Sequence, residues 1–187
     1  MLSREWKETS EGIVRLPELD VRSWALYLRW VYTGKVRVPE DEDKDGPQII
    51  DMKDGIRLWG AADQYEIPLL HNQVMNELVL RDGILGMLPN EDEMELAWNL
   101  SGQGSTLQRF LLDVWVSGLG GQVSFLQKYL HAYPEAFIDD FWAELDGLDQ
   151  DFLSHDRRHP RYRGRCHYHV HHDSCPECKG VREGEIE

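Results

Sequence analysis

The side chains best suited to chemistry are clustered near the C-terminal end of the chain. The 13 positions from Cys166 to Cys178 hold all three cysteines and four of the eight histidines. Zinc is bound by four thiolate or imidazole ligands in a tetrahedron, often in closely spaced pairs. Cys166 with His169, and Cys175 with Cys178, form two such pairs. The sequence therefore predicts a structural zinc ion bound by Cys166, His169, Cys175 and Cys178.

Two other interpretations of this segment stay open. His171 could replace His169 as a ligand, and the spacing does not choose between them. A His-rich end whose thiols bind no metal also fits, because the loop between the two pairs is short and no apolar cluster accompanies it. A catalytic metal is not expected.

A basic run precedes the first cysteine. From His155 to Arg182 there are seven Lys and Arg against three Asp and Glu, whereas residues 1–154 carry 13 against 28. Basic segments of this kind contact nucleic acid or direct nuclear import. The other interpretation is a solvated linker that folds back onto the acidic body. A zinc-dependent nucleic-acid binder acting through this tail is therefore the alternative function, although a net charge of −14 disfavours general binding to phosphates.

Enzyme motifs are not found in the sequence. No Gly-x-Ser-x-Gly, P-loop or His-Glu-x-x-His pattern occurs. The Gly-rich segment 118–121 follows a predicted helix, whereas a dinucleotide-binding loop follows a strand. His71 and His131 are interpreted as packing or surface residues. We therefore expect a protein that is not an enzyme, with no catalytic residues.

Location is inferred from the apolar segments and the cysteines. The N-terminal residues lack the apolar stretch of a secretory signal, and no run of 18 apolar residues occurs. An odd number of cysteines disfavours a disulfide framework. We expect an intracellular protein, in the cytoplasm or nucleus, that makes no membrane contact.

The first predicted helix begins after Asp20 and ends before Gly34. Asp is a favoured N-cap, and Gly is favoured just past a helix C-terminus. Five apolar residues recur at helical spacing and predict a broad apolar face: Val21, Trp24, Leu28, Val31 and Tyr32. Short strands are predicted at 12–16 and 35–38, and the acidic stretch 40–47 is interpreted as a solvated loop.

Five further helices are predicted from apolar periodicity. The first has a stripe of Ile56, Trp59, Ala62 and Tyr65, and the second has Leu70, Val74 and Leu78 with Pro68 in its first turn. A short helix at 93–100 follows. A capping box at Ser105 and Gln108 is predicted to open the next helix. Two more are predicted at 125–133 and after Pro134.

Three segments occur in the order found in one known family. They are Ile13-Val14-Arg15-Leu16-Pro17-Glu18, Trp30-Val31-Tyr32-Thr33-Gly34-Lys35-Val36 and Ala62-Asp63-Gln64-Tyr65-Glu66-Ile67-Pro68-Leu69-Leu70. An extended Leu-Pro-Glu segment, a helix ending in Tyr-Thr-Gly and an Ala-Asp-x-Tyr-x-Ile-Pro-x-Leu pattern mark the second half of a BTB/POZ domain. Residues 12–80 resemble this family.

Later segments are similar to fungal members of the family. Residues 104–109 and 133–137 resemble their helical extension, and the Cys/His segment resembles their C-terminal region, so the looser likeness covers 90–178. About a dozen residues precede the Leu-Pro-Glu segment, so we expect an N-terminally truncated member. The missing strands and helical hairpin would carry the family's dimer interface, so the resemblance does not establish a homodimer.

The resemblance implies an α+β, predominantly α-helical chain. The expected parts are an N-terminal segment (1–11), a partial BTB/POZ-like domain (12–88), a helical extension (89–150) and a basic Cys/His-rich tail (151–187). The implied function is protein–protein interaction, as an adaptor in ubiquitin ligase or transcriptional complexes. The implied partner is a cullin-type ubiquitin-ligase scaffold or a transcriptional regulator. Helices 21–33 and 56–80 would form the groove, with Trp24, Tyr32, Trp59 and Tyr65 in the core.

Overall fold

The fold is built from helices. A computed structural model describes residues 20–36, 49–118, 130–146, 159–164 and 166–170. These residues form α1 (Val21–Thr33), α2 (Met52–Gln64), α3 (Pro68–Leu85), α4 (Glu91–Leu100), α5 (Thr106–Gly118) and α6 (Glu135–Asp146). They also form 3-10 turns at Leu130–Ala132 and Pro160–Tyr162, and they contain no strand. The predominantly helical prediction is confirmed for this part of the chain.

Several predictions concern residues outside the described ranges. These are the strand at 12–16, the acidic loop at 40–47 and the ligands Cys175 and Cys178. Of the strand predicted at 35–38, Lys35 and Val36 are described and neither is in a strand. Of the helix predicted at 125–133, only the 3-10 turn Leu130–Ala132 and Tyr133 are described.

Helix α1 has the ends that the sequence predicts. The Asp20 carboxylate accepts a hydrogen bond from the Ser23 amide at 2.8 Å, which satisfies an amide that the helix itself cannot pair. Gly34 adopts a φ of +69°, where a side chain would be strained, and its amide donates to the Trp30 carbonyl. The bounds of α1 follow from these two residues.

The capping box predicted for α5 is half formed. The Gln108 amide donates to Ser105 Oγ at 3.2 Å, but the Gln108 side chain accepts from the Gly104 amide instead of the Ser105 amide. A complete capping box opens α4, where Asn90 and Glu93 each accept from the other's backbone amide. The sequence analysis did not identify that box.

One apolar core runs through all six helices. Helix α2 packs against α1, α3 and α4, and α5 packs against α6. Trp59, Phe110 and Phe137 are among the largest fully buried side chains. Close packing of α2 on α3 depends on Gly55, because a Cβ there would lie 2.6 Å from Leu78 Cδ2. Overpacking of this kind typically costs about 1–3 kcal/mol.

The predicted core position of Trp24, Tyr32 and Tyr65 is wrong, whereas that of Trp59 is confirmed. Tyr32 is 85% exposed and Tyr65 46%, while Trp59 is 1% exposed. Helix α1 packs on the body through a different face, formed by Ser23, Leu26, Tyr27 and Trp30. Two ion pairs also join α1 to α2: Asp20 lies 2.8 Å from Arg57, and Arg22 lies 3.1 Å from Asp54. The apolar face that the periodicity identified therefore points outward.

Every described helix is too short or too polar to cross a lipid bilayer.

Candidate functional site

Two of the four predicted zinc ligands lie in one tight turn. The His169 amide donates to the Cys166 carbonyl at 3.1 Å, so both residues belong to a single turn. Both side chains are buried. A turn that places a Cys and a His three positions apart is compatible with two ligands of a tetrahedral site. Cys175, Cys178 and the alternative ligand His171 lie outside the described residues.

The ring of His169 is oriented by a residue of α3. Its Nε2 lies 2.8 Å from Asn76 Oδ1, and in the tautomer with the proton on Nε2 the ring donates a hydrogen bond to this amide oxygen. The lone pair of the neutral ring is then on Nδ1. In metal sites the nitrogen that does not bind the metal usually donates to a carbonyl or carboxylate, as Nε2 does here. Asn76 therefore suits the role of an orienting partner for a His169 ligand.

The backbone after His169 is attached to the same helix. The side chain of Asn72 donates to the Val170 carbonyl at 3.1 Å and accepts from the Val170 amide at 2.8 Å. Asn72 is fully buried. Because Asn72 and Asn76 are one helical turn apart, the two amides lie along one face of α3. The segment 166–170 is therefore part of the folded body.

Asp113 of α5 holds the other side of this segment. Its carboxylate accepts from Tyr168 Oη at 2.7 Å and lies 3.4 Å from Arg163 Nη2 and 3.8 Å from His167 Nε2. Burial raises the pKa of Tyr168 far above its usual range, and the negative charge of Asp113 adds to this. Burial also lowers the pKa of His167, with Arg163 as the second cause. Tyr168 is consequently a neutral donor to a buried carboxylate.

Asp82 of α3 provides a further acidic contact. Its Oδ2 lies 3.5 Å from His159 Nδ1, and the Asp82 side chain is buried. The described part of the basic segment therefore folds back onto acidic residues of the body, as one of the two interpretations predicts. The side chains of Arg157, Arg158 and Arg165 lie outside the described residues.

The described residues alone do not complete a metal site. No group of three or more His, Cys, Asp or Glu side chains among them is placed to hold a metal ion. The zinc site therefore stays a prediction that requires Cys175 and Cys178. Sequence reasoning missed Asn72, Asn76 and Asp113, although each is a polar residue beside an apolar stripe of a helix, which is a usable signal.

A second candidate site is the exposed side of α1. We define the α1 outer face as five residues: Val21, Trp24, Leu28, Val31 and Tyr32. All five are exposed, with Val31 at 52% and Val21 at 86%. Trp24 stacks on Tyr27, with ring centroids 5.3 Å apart, and Tyr27 in turn contacts Trp30. The outer face is thus continuous with the aromatic side chains that anchor α1.

Two of the cavities in the described part of the chain border the C-terminal segment. One, of about 330 Å³, lies between α3 and the C-terminal segment and is lined by residues that include Asn76, Arg163 and His169. The other, of about 210 Å³, lies where α2 ends and α3 begins. It is lined by Ala62, Asp63, Glu66, Ile67, Pro68, His71 and Val170.

Comparison with protein-family models, curated proteins and solved structures found no match for this chain.

Proposed function

We propose that this chain is a BTB/POZ-like protein-interaction module and that it binds its partner through the α1 outer face. The observation that carries the proposal is the set of five apolar side chains exposed along one helix. Contiguous exposed apolar surface on a folded protein is typical of an interaction site. Support for the BTB/POZ-like assignment comes from the three sequence segments at 13–18, 30–36 and 62–70.

The two faces of α1 explain why a partner is needed. One face buries Ser23 and Leu26 against the body, and the outer face carries five exposed apolar side chains. An amphipathic helix normally buries its apolar side chains, and these five remain in contact with water. Covering one Val or Leu side chain contributes about 1.5–3 kcal/mol, and Trp and Tyr are the residues most often found at interface hot spots. The outer face therefore has the composition of a binding surface.

Charge indicates the kind of partner. Helix α1 contains Arg22 and Arg29 and no acidic residue, and Lys35 follows it. The remainder of the chain is strongly acidic, since the net charge is −14. A partner segment with apolar anchors flanked by acidic residues would be complementary to α1. A basic segment would instead be attracted to the acidic remainder of the chain. By family resemblance the proposed partner is a cullin-type scaffold, with a transcriptional regulator as the other class.

A binding titration with a purified cullin N-terminal domain tests the proposal. The double variant Leu28→Glu/Val31→Glu places two charges on the outer face and should weaken binding at least about tenfold. Leu80→Glu is the matched control, because Leu80 is as exposed as Val31 but lies on α3. If both variants weakened cullin binding equally, the proposal that α1 is the binding surface would be contradicted. Light scattering of the chain alone reports whether a second copy occupies the face instead.

Zinc-dependent nucleic-acid binding through the tail remains the alternative proposal. Among the described residues close to the predicted ligands, the charge of Arg163 faces the body, since its guanidinium approaches Asp113. Neutralised charges contribute little to phosphate binding. Salt-dependent binding of a DNA duplex by the full chain, lost on chelation, would favour this alternative over the α1 surface.

A further inference from the structure

The turn between α2 and α3 keeps a glutamate in a backbone conformation that favours glycine. The Ile67 amide donates to the Ala62 carbonyl and the Glu66 amide to the Asp63 carbonyl, which is the Schellman arrangement that ends many helices. Glu66 has a φ of +53°, and it is the one non-glycine residue with positive φ among the described residues. A side chain at this position costs conformational free energy that glycine avoids.

Glu66 and Asp63 are the two acidic residues that line the 210 Å³ cavity. Both are exposed, so their carboxylates are hydrated and negatively charged at neutral pH. Apart from His71, the other lining residues are apolar: Ala62, Ile67, Pro68 and Val170. Pockets for drug-sized ligands usually enclose about 300–1,000 Å³, so this one has the size for a single side chain.

His71 supplies a buried polar group to the same cavity. The residue is 2% exposed, and its Nδ1 makes no hydrogen bond of ordinary geometry with a described residue, although the neighbouring Asn72 side chain interacts with the ring. Its Nε2 lies 3.4 Å from Thr106 Oγ1, which accepts a hydrogen bond from Nε2 in one tautomer and donates one to it in the other. Burial lowers the pKa of His71, so the ring is neutral at pH 7. In the tautomer with the proton on Nε2, the Nδ1 lone pair is a hydrogen-bond acceptor.

We propose that this cavity binds the side chain of an arginine from a partner protein. The planar guanidinium has five N–H donors, enough for the carboxylates of Asp63 and Glu66 and for the His71 imidazole together. Its methylene groups would lie against Pro68 and Val170. A lysine has three donors on one atom and could not reach three separated acceptors as well.

This site goes beyond the proposed binding surface, because it uses no residue of the α1 outer face. The Leu28→Glu/Val31→Glu variant should therefore leave it intact. A negative cullin titration would not test arginine binding in the cavity. Likewise, a cavity that binds no arginine would leave the proposal for the α1 outer face unaffected.

The test is NMR titration of the isotope-labelled full chain with N-acetyl-arginine amide. We expect shifts at His71, Glu66 and Val170 that saturate at about millimolar concentration, as is usual for so small a ligand. Asp63→Asn and Glu66→Gly should each weaken binding about threefold to tenfold. Glu95→Gln, which removes an exposed charge on α4, is the matched control and should leave binding unchanged.

Glu66→Gly separates binding from folding. Glycine relieves the backbone at a φ of +53°, so this variant should be at least as stable as the parent while it binds more weakly. N-acetyl-citrulline amide has nearly the same shape without the charge and should not bind. Equal binding of the citrulline compound, or unchanged binding by both Asp63→Asn and Glu66→Gly, would overturn the proposal.

Discussion

The side chain of Asn72 and the backbone of Val170 are hydrogen-bonded in both directions, with distances of 3.1 and 2.8 Å. The two residues are 98 positions apart, so the contact joins the C-terminal segment to the centre of α3. A neutral amide side chain has both an N–H donor and a carbonyl acceptor, so it satisfies a backbone C=O and a backbone N–H at once without charge. The pair therefore holds the Cys166–Val170 turn in its position on the body.

Removal of this amide should loosen the segment. Asn72→Ala loses two hydrogen bonds, each with a net contribution of about 0.5–1.5 kcal/mol, so the unfolding free energy should fall by about 1–3 kcal/mol. Urea unfolding measures the change. Asn99→Ala, at an exposed position of α4, is the control and should change stability by less than about 0.5 kcal/mol. Equal effects of the two variants would show that the segment is not docked.

Tyr168 provides an independent measure of the same docking. Tyr168→Phe removes the 2.7 Å bond to Asp113 and leaves a buried carboxylate without that donor. Hydrogen bonds to charged groups contribute about 1.5–3 kcal/mol, so a loss of that size is expected in thermal or urea unfolding. Tyr32→Phe changes an exposed ring and should be nearly neutral. A neutral Tyr168→Phe variant would contradict the buried contact with Asp113.

His71 should make stability depend on pH. Burial lowers its pKa from the usual 6.5, so below pH 6.5 the unfolded chain takes up a proton that the folded chain resists. This contribution is fully present above pH 6.5 and is lost as the pH falls toward the folded pKa, with a slope of at most about 1.4 kcal/mol per pH unit. His71→Gln should flatten the dependence between pH 7.5 and 5, whereas exposed His131→Gln should not. Identical slopes for the two variants would refute the assignment.

Zinc binding is predicted by ligand spacing and is compatible with the orientation of His169 by Asn76. Elemental analysis of protein purified with zinc should find about one zinc per chain. Cys166→Ser and His169→Asn should each reduce that content, and exposed His131→Asn should not. Loss of zinc on His171→Asn with retention on His169→Asn would assign the other histidine. Metal-free parent protein would eliminate the site.

The helices of the described chain could be predicted because their ends and periods are local properties. Asp20 and Gly34 fix α1, and Pro68 begins α3, through hydrogen bonds and backbone angles that involve a few neighbouring residues. The direction in which α1 faces could not be predicted. Apolar residues lie along more than one side of α1, and which of them packs on the body depends on tertiary contacts with residues distant in sequence, such as Asp54 and Arg57.

At the predicted zinc ligands, too, the local features could be predicted from the sequence and the tertiary contacts could not. Spacing identified Cys166 and His169, which lie in one turn. The turn is attached to the body through His169 and Asn76 and through Tyr168 and Asp113, contacts that span more than 50 residues and that no local pattern encodes. Likewise, the cavity beside Glu66 depends on how α2 and α3 meet. The Ile-Pro sequence after Glu66 shows where the turn lies but not its backbone conformation.

The most direct test of the central claim is hydrogen–deuterium exchange of the chain with and without a saturating cullin N-terminal domain. The account predicts that added protection is concentrated in Val21–Thr33, because that helix carries the outer face. It also predicts that this protection disappears in the Leu28→Glu/Val31→Glu variant. Binding that protects other helices and leaves Val21–Thr33 unchanged would contradict the claim that α1 is the docking surface.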